Sequence, residues 1–373
     1  MKTTAALLFA AWLIAAPSSW AQLSFSLAPS VQNSAAGQTL VFSGTLVNTG
    51  STQLFLNNVA FTLDGNAGAA LVSGSNPFYA NVPGILLAGG TYSGQVFSEA
   101  LAAGASPADY TGSVALEGGS NIFTSGTLGT TGFTILSPAV NIVATSGSAN
   151  EYGPLSGAFT ISRTGGTEIT LPVSYAIAGS AINGSDYQSI AGSATIAAGA
   201  SSRLVTITPI LQQSALGNRT VTLTSSSSSQ YNLGADLSDT VTIYDTPFNQ
   251  WRIQNFGASA NAAQAAPTAY WTAGGIKNLL AYALGINPKN PNPSLLPSVS
   301  VVSDYLTLSY APNTAATDVT YAVQASTDLV NWSAANIQSV NNPTPGMVSF
   351  RYNSPLTASR ALFLRLCLTQ LDW

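Results

Sequence analysis

There is no histidine among the 373 residues, so the commonest general base and the commonest transition-metal ligand are both missing. Cysteine occurs once, at Cys367, which rules out an internal disulfide and leaves a thiol with no obvious activating base. Within "ALFLRLCLTQ" that cysteine reads as a small apolar member of a strand. Charge is scarce as well. Only 6% of residues are charged, 10 Lys+Arg against 14 Asp+Glu, for a net charge of -4. So few cations cannot neutralise a run of phosphates, which excludes nucleic acid as a partner. No glycine-rich phosphate loop follows a strand, and no serine sits in a nucleophile elbow. Paired carboxylates would suffice to cut a glycosidic bond, but only Asp236 and Asp239 lie close together in sequence. They flank Leu237-Ser238 and read as a solvated loop.

Apolar residues are plentiful, at 46%, enough to build cores for two to four domains. Lys2 and the apolar run from Ala5 to Ala16 precede Ser19-Trp20-Ala21, which offers small residues where a signal peptidase reads. Residues 1–21 are therefore expected to be a cleaved signal peptide, since the run is shorter than the ~20 residues of a spanning helix. No later segment reads as a membrane span, and no cysteine follows the run to carry a lipid. The terminal Trp373 invites comparison with an outer-membrane barrel strand. However, Leu371, Thr369, Cys367 and Arg365 at alternate positions make a poor lipid-facing row.

Residues 22–138 alternate apolar and polar between turn residues. "TLVFSGTLVN", "QLFLNNVAFTL", "GTYSGQVFSEAL" and "DYTGSVALEGG" read as short strands of an antiparallel sandwich. This pattern resembles an immunoglobulin-like module of secreted bacterial proteins. Residues 139–245 give clearer strands in "GAFTISRTG", "EITLPVSYAI", "SRLVTITPI", "RTVTLTS" and "DTVTIYD". In the last, Val241 and Ile243 face one way and Thr240, Thr242 and Tyr244 the other.

The run "GAFTISRTGG…VSYAIAGSAINGSDYQ…RLVTITPI…GNRTVTLT…TVTIYD" resembles a Calx-β domain across the whole module. That resemblance implies a calcium site at one tip of a sandwich. Glu151, Asp186 and Asp245 match three of the acidic ligands. The acid cluster after the Pro-Ile strand end does not match: in "PILQQSALGNRTV", Leu211, Gln212, Leu216 and Arg219 stand in the acidic places. Calcium takes 6–8 oxygens and its affinity follows the number of anionic ligands, so these three acids would hold it only weakly. Arg219 would repel it. Asp186, following Gly-Ser, is expected chiefly to accept backbone N–H groups and fix its turn, with little cost on Asp186→Asn.

Residues 246–373 divide into a helical lead-in, 246–297, and an antiparallel β module, 298–373. Thr246-Pro247 starts a helix running through "FNQWRIQNF" to Gly257. A second helix is expected in "GGIKNLLAYALGINP", with Leu279, Leu280 and Ala283 on one face and Gly285 closing it. The strands "DYLTLSYA", "VTYAVQAS", "GMVSFRYN" and "ALFLRLCLTQ" follow, with "STDLVNW" at Ser326–Trp332. This order resembles a carboxy-terminal module of large secreted bacterial proteins with "NLLEYALG" and "STDLxxW" segments. The calcium loop such modules carry has no acid here, and Lys277 stands in its region.

Ser225 to Ser229 reads as a flexible loop. Tyr175, Tyr187, Trp332 and Tyr352 would make a sugar platform only if they met on one face. The expectation is a mainly β protein of three modules: an immunoglobulin-like sandwich, a Calx-β-like sandwich, and a small β module behind two helices. It would be exported, non-enzymatic, and structural or adhesive at a cell surface or in a matrix. Its partners would be cell-surface glycans or other surface proteins, with no cofactor beyond weakly held calcium. A carbohydrate-binding module, a weak calcium-binding protein of cell communication, and an unrecognised hydrolase are the alternatives.

Overall fold

A computed structural model describes residues 22–371 apart from 66, 74–76, 154, 272–274 and 357–360. The expected signal peptide at 1–21 and the terminal Trp373 lie outside the described residues. The fold is mainly β. Alternation of apolar and polar residues sets it: in Gly157–Arg163 the residues at 157, 159, 161 and 163 are buried and those between are not.

The first two sheets enclose one core. Leu23–Leu27, Thr39–Asn48, Thr91–Leu101 and Leu71–Ser73 form one sheet. The other runs Val31–Asn33, Gly126–Leu136, Asp109–Gly119, Leu54–Leu63, Ile85–Leu86. Between them Phe42 stacks on Phe97 at 4.6 Å, with Phe133 tilted against both rings. Short helices at Ala67–Ala70 and Phe78–Asn81 lie in this region, where strand patterning alone gave no sign of them.

The middle module is a second sandwich with its own core of Ile142, Phe159, Ile161, Val173, Tyr187, Val221, Val241 and Ile243. One sheet orders Ser202–Ile207, Gly157–Arg163, Ala139–Ser146, Asn232–Leu233. The other orders Ser148–Asn150, Ser238–Tyr244, Arg219–Ser225, Leu171–Ala178, Ser193–Ile196. The chain changes sheets at Gly147: Ala139–Ser146 pairs antiparallel with Gly157–Arg163, and Ser148–Asn150 runs parallel to Ser238–Tyr244. That switch delivers Glu151 to the end of the sandwich where Tyr244 finishes, and its N–H donates to the Tyr244 carbonyl at 3.1 Å.

Two expectations in this module change. Ser225–Ser229 is not a free loop, because Ser225 is buried, Ser226 N–H donates to Ser174 O at 3.0 Å, and Ala35 N–H donates to Ser229 O at 2.9 Å. Asp239 is not in a solvated loop either. It lies in the last strand and accepts from the Ala144 N–H at 2.7 Å, tying the two sheets together.

Beyond Asp245, the helix Pro247–Phe256 begins where Thr246 accepts from the Asn249 N–H, and it ends at Gly257 with φ +56°. The second helix is shorter than its sequence suggests, covering Asn278–Ala283. Its fully buried side chains are Asn278, Ala281, Tyr282 and Ala283, while Leu279 and Leu280 are half-buried and pack against the cores of the third module. Two sheets follow. Ser298–Val302, Tyr305–Tyr310, Val348–Tyr352 and Ile337–Val340 form one, and Val319–Ser326 pairs with Phe363–Gln370. Cys367 sits in the latter pair opposite Ala322, half-buried. Among the described residues, no helix is long and apolar enough to cross a membrane.

Candidate functional site at the tip of the middle module

Glu151, Asp186, Asp245 and Arg219 come together at the end of the middle sandwich that faces the third module. Glu151 follows Ser148–Asn150, and Asp245 directly follows Tyr244, the strand's parallel neighbour. Arg219 opens Arg219–Ser225, opposite Ile243 in register. Its parity is that of Val221 and Leu223, so the side chain enters the interior and is buried. Asp186 arrives from the loop after Leu171–Ala178. Its carbonyl accepts from the Ile210 N–H at 2.9 Å, and its own N–H donates to Ile182 O at 2.9 Å.

The guanidinium stands between two of the carboxylates. Arg219 Nη2 donates to Glu151 Oε1, and Nη1 forms an ion pair with Asp186 Oδ1. The second contact is an ion pair rather than an aligned hydrogen bond, and Nε has no hydrogen-bond partner. The remaining oxygens bind backbone. Glu151 Oε2 accepts from Gln212 N–H at 3.1 Å and Asp186 Oδ2 from Ile182 N–H at 2.7 Å.

Asp245 is saturated in another way. Oδ2 accepts from the N–H groups of Leu216 and Gly217, each at 2.9 Å. Oδ1 accepts from Thr246 N–H at 2.8 Å and Asn249 Nδ2 at 2.9 Å. Burial pushes the Arg219 guanidinium below its ordinary value, and the nearby Asp245 charge works against that shift. Arg219 remains the counter-ion of the tip.

Asp186 therefore does more than hold a turn. It also neutralises a buried cation, so Asp186→Asn is expected to cost more than the turn alone implies: the amide keeps the turn but removes half of Arg219's pairing. Among the described residues, no group of three or more His, Cys, Asp or Glu side chains is arranged to hold a metal ion. A calcium ion would need 6–8 oxygens, and the carboxylate oxygens at this tip already accept from N–H donors or pair with the guanidinium. Calcium and the residues present do not fit together.

The segment after Ile210, where the sequence lacks the acid cluster, has a different task. Gln212 and Ser214 carbonyls accept from Asn249 Nδ2 at 3.1 and 3.2 Å, and Gln213 O accepts from Arg252 Nη1 at 3.0 Å. Ala215 exchanges both backbone hydrogen bonds with the Asn261 amide, at 2.7 and 2.9 Å. Arg252 is buried as well, and burial lowers its guanidinium while Asp245 opposes the shift. The segment is a strap that fastens Pro247–Phe256 to the tip. Asn249, Arg252 and Asn261 escaped the sequence reading, because their partners are backbone groups that no motif displays.

The other candidates do not converge on this tip. Tyr175 and Tyr187 are buried in the middle core. Trp332 lies under Arg365 at 4.2 Å, and the Tyr352 hydroxyl accepts from Asn336 Nδ2 at 3.4 Å, so the four rings form no platform. Lys277 is exposed and bridges to Tyr270. At the opposite end of the sandwich, Arg163 is a buried guanidinium the sequence reading passed over. It donates to the carbonyls of Ala200, Ile169, Thr167 and Ala197 at 2.8 to 3.2 Å.

No protein-family model and no curated protein matches the chain. Among solved structures, it is similar to the apo form of the Calx CBD1 domain, at 18% identity over 29% of this chain and 97% of that one, with a TM-score of 0.25. It is also similar to the D00-D0 domain of Intimin, at 14% identity, 60% and 100% coverage and a TM-score of 0.27. The Yersinia pseudotuberculosis adhesin InvE matches at 14% identity, 61% and 60% coverage and a TM-score of 0.23. At these identities and scores the similarity says nothing of binding or activity.

Proposed function

We propose that this is an exported, non-enzymatic structural or adhesive protein of a cell surface or matrix, whose middle module joins its neighbours without calcium. The observation that carries this reading is the Arg219 guanidinium held by Glu151 and Asp186 inside the tip. A fixed internal cation suits a spacer that keeps its joints whatever the ion content outside the cell. The joint to the third module supports it, with Asn249 Nδ2 donating to Asp245 Oδ1 at 2.9 Å and Arg252 Nη1 to the Gln213 carbonyl at 3.0 Å. On the other side, Gly166 N–H donates to Asp109 at 2.8 Å and Ala36 N–H to Asn232 at 2.9 Å, linking the first and middle modules. The absence of histidine, and the engagement of the tip carboxylates by Arg219 and backbone N–H groups, favour a role without bond cleavage.

Brief protease treatment of intact host cells tests the reading. The protein should be shaved from the cell surface or matrix while cytoplasmic markers survive, and cells lacking it should attach or aggregate less well. Recovery of the chain wholly inside the cytoplasm, or normal attachment without it, would overturn the proposal.

A further inference from the structure

The sheet of Ser298–Val302, Tyr305–Tyr310, Val348–Tyr352 and Ile337–Val340 has two unlike faces, and register assigns them. Leu308, Tyr310 and Phe350 point into the core of the third module. The other face carries a row in which Ser300, Thr307, Arg351 and Gln338 are successive cross-strand partners. The adjoining row is Ser298, Ser309, Ser349 and Val340. Side chains of both rows, with the loop at Asn341 to Pro343, line a concavity of about 300 Å³. That is the size range of small-ligand sites.

The chemistry of this concavity is unusual for the chain. Thr307 and Ser349 are buried and form its floor. Ser309 and Ser349 hydroxyls are 2.6 Å apart, and Asn342 Nδ2 donates to Ser349 Oγ at 2.7 Å. Arg351 lies over the Tyr305 ring at 4.2 Å. With its amide oxygen turned inward, Gln338 accepts from Arg351 Nη2 at 2.7 Å and Nε at 2.9 Å. Among the described residues, no carboxylate is ion-paired with Arg351, and no Asp or Glu lines the concavity.

We infer that this face binds an acidic saccharide, such as a uronate-containing oligosaccharide. A polyhydroxylated ring matches the hydroxyl and amide groups, which both donate and accept, and its carboxylate supplies the counter-charge that Arg351 lacks. A nucleotide is disfavoured because the one ring beside the concavity, Tyr305, is covered by Arg351. A bare inorganic anion would use the guanidinium and leave the hydroxyl floor idle. The lining holds no carboxylate pair, so it lacks the usual means of hydrolysing a glycosidic bond. The inference is independent of the Arg219 joint: it rests on another module and another measurement.

Titration calorimetry on the intact chain tests it with a galacturonate oligosaccharide, a neutral cello-oligosaccharide and inorganic phosphate. The acidic oligosaccharide should bind measurably at millimolar concentration or below, with the neutral one at least about tenfold weaker. Arg351→Gln should lose about tenfold or more in affinity and Arg351→Lys much less, while Thr307→Val should weaken binding without removing the preference for acid. The wild-type titrations decide the matter even if a variant misfolds. No binding of the acidic oligosaccharide, equal binding of the neutral one, or equal binding of phosphate would each overturn the inference. So would an Arg351→Gln variant that binds unchanged.

Discussion

Arg219 and Arg163 occupy inward positions of strands whose other inward residues are apolar. Val221 and Leu223 follow the first, and Phe159 and Ile161 precede the second. A buried ion pair loses heavily when only one partner is removed, because the other charge is stranded in low dielectric. Arg219→Ala should therefore destabilise the chain by about 3–5 kcal/mol in urea unfolding, leaving Glu151 and Asp186 without their counter-ion. Asp186→Asn should cost about 1–3 kcal/mol, and an unfolding midpoint unchanged from wild type would refute the pairing. Glu99 is a different buried charge. It is almost fully enclosed in the first module, one carboxylate oxygen has no partner, and burial raises its carboxyl to about 7. Between about pH 4.5 and 7 the folded chain thus binds more protons at Glu99 than the unfolded chain does, so this residue's contribution to stability falls as pH rises through that window. Glu99→Gln should flatten that slope and raise stability at pH 8 by on the order of 1–3 kcal/mol. Melting curves across pH 4 to 8 check it.

At the scale of elements, the first helix of the third module was legible and the second less so. Thr246-Pro247 is a start signal that works through its own neighbours, and Thr246 Oγ1 accepts from Asn249 N–H at 3.2 Å. Thr246→Ala should cost about 1 kcal/mol, read as a shift in the urea midpoint. Gly285, at φ +65°, closes Asn278–Ala283 as the sequence indicates, but the helix starts late because Lys277 is extended and bridged to Tyr270, and its buried set follows contacts with Asp318 and Asn313 that lie far away in sequence. The long strands were readable from alternation. Ser148–Asn150, Ser193–Ile196 and Asn232–Leu233 were not, being too short for a period to register. Gly118 marks a position where only the absence of a side chain permits the pairing: a Cβ there would lie 1.8 Å from the Phe55 carbonyl oxygen. Gly118→Ala should accordingly disturb the pairing of Leu54–Leu63 with Asp109–Gly119, visible as faster amide exchange in those strands.

For the whole molecule, the sequence placed Glu151, Asp186 and Asp245 at one tip through family resemblance and identified Arg219 as hostile to calcium. It did not reveal that Arg219 enters the interior as the partner of two of those acids, since that depends on strand parity and on the sheet switch at Gly147. Nor did it show the strap from Gln212 to Ala215 clamping Pro247–Phe256, because the bonds are to carbonyls. A fixed guanidinium, not a metal ion, completes this tip. The melting temperature of the intact chain, in chelator and in about 2 mM calcium, tests this. Stabilisation by a ligand follows RT ln(1 + [L]/Kd), so a tip that calcium cannot occupy gains nothing. The two melting temperatures should agree within about 2 °C, and a calcium-induced rise of about 10 °C or more would show that a metal ion occupies the tip after all.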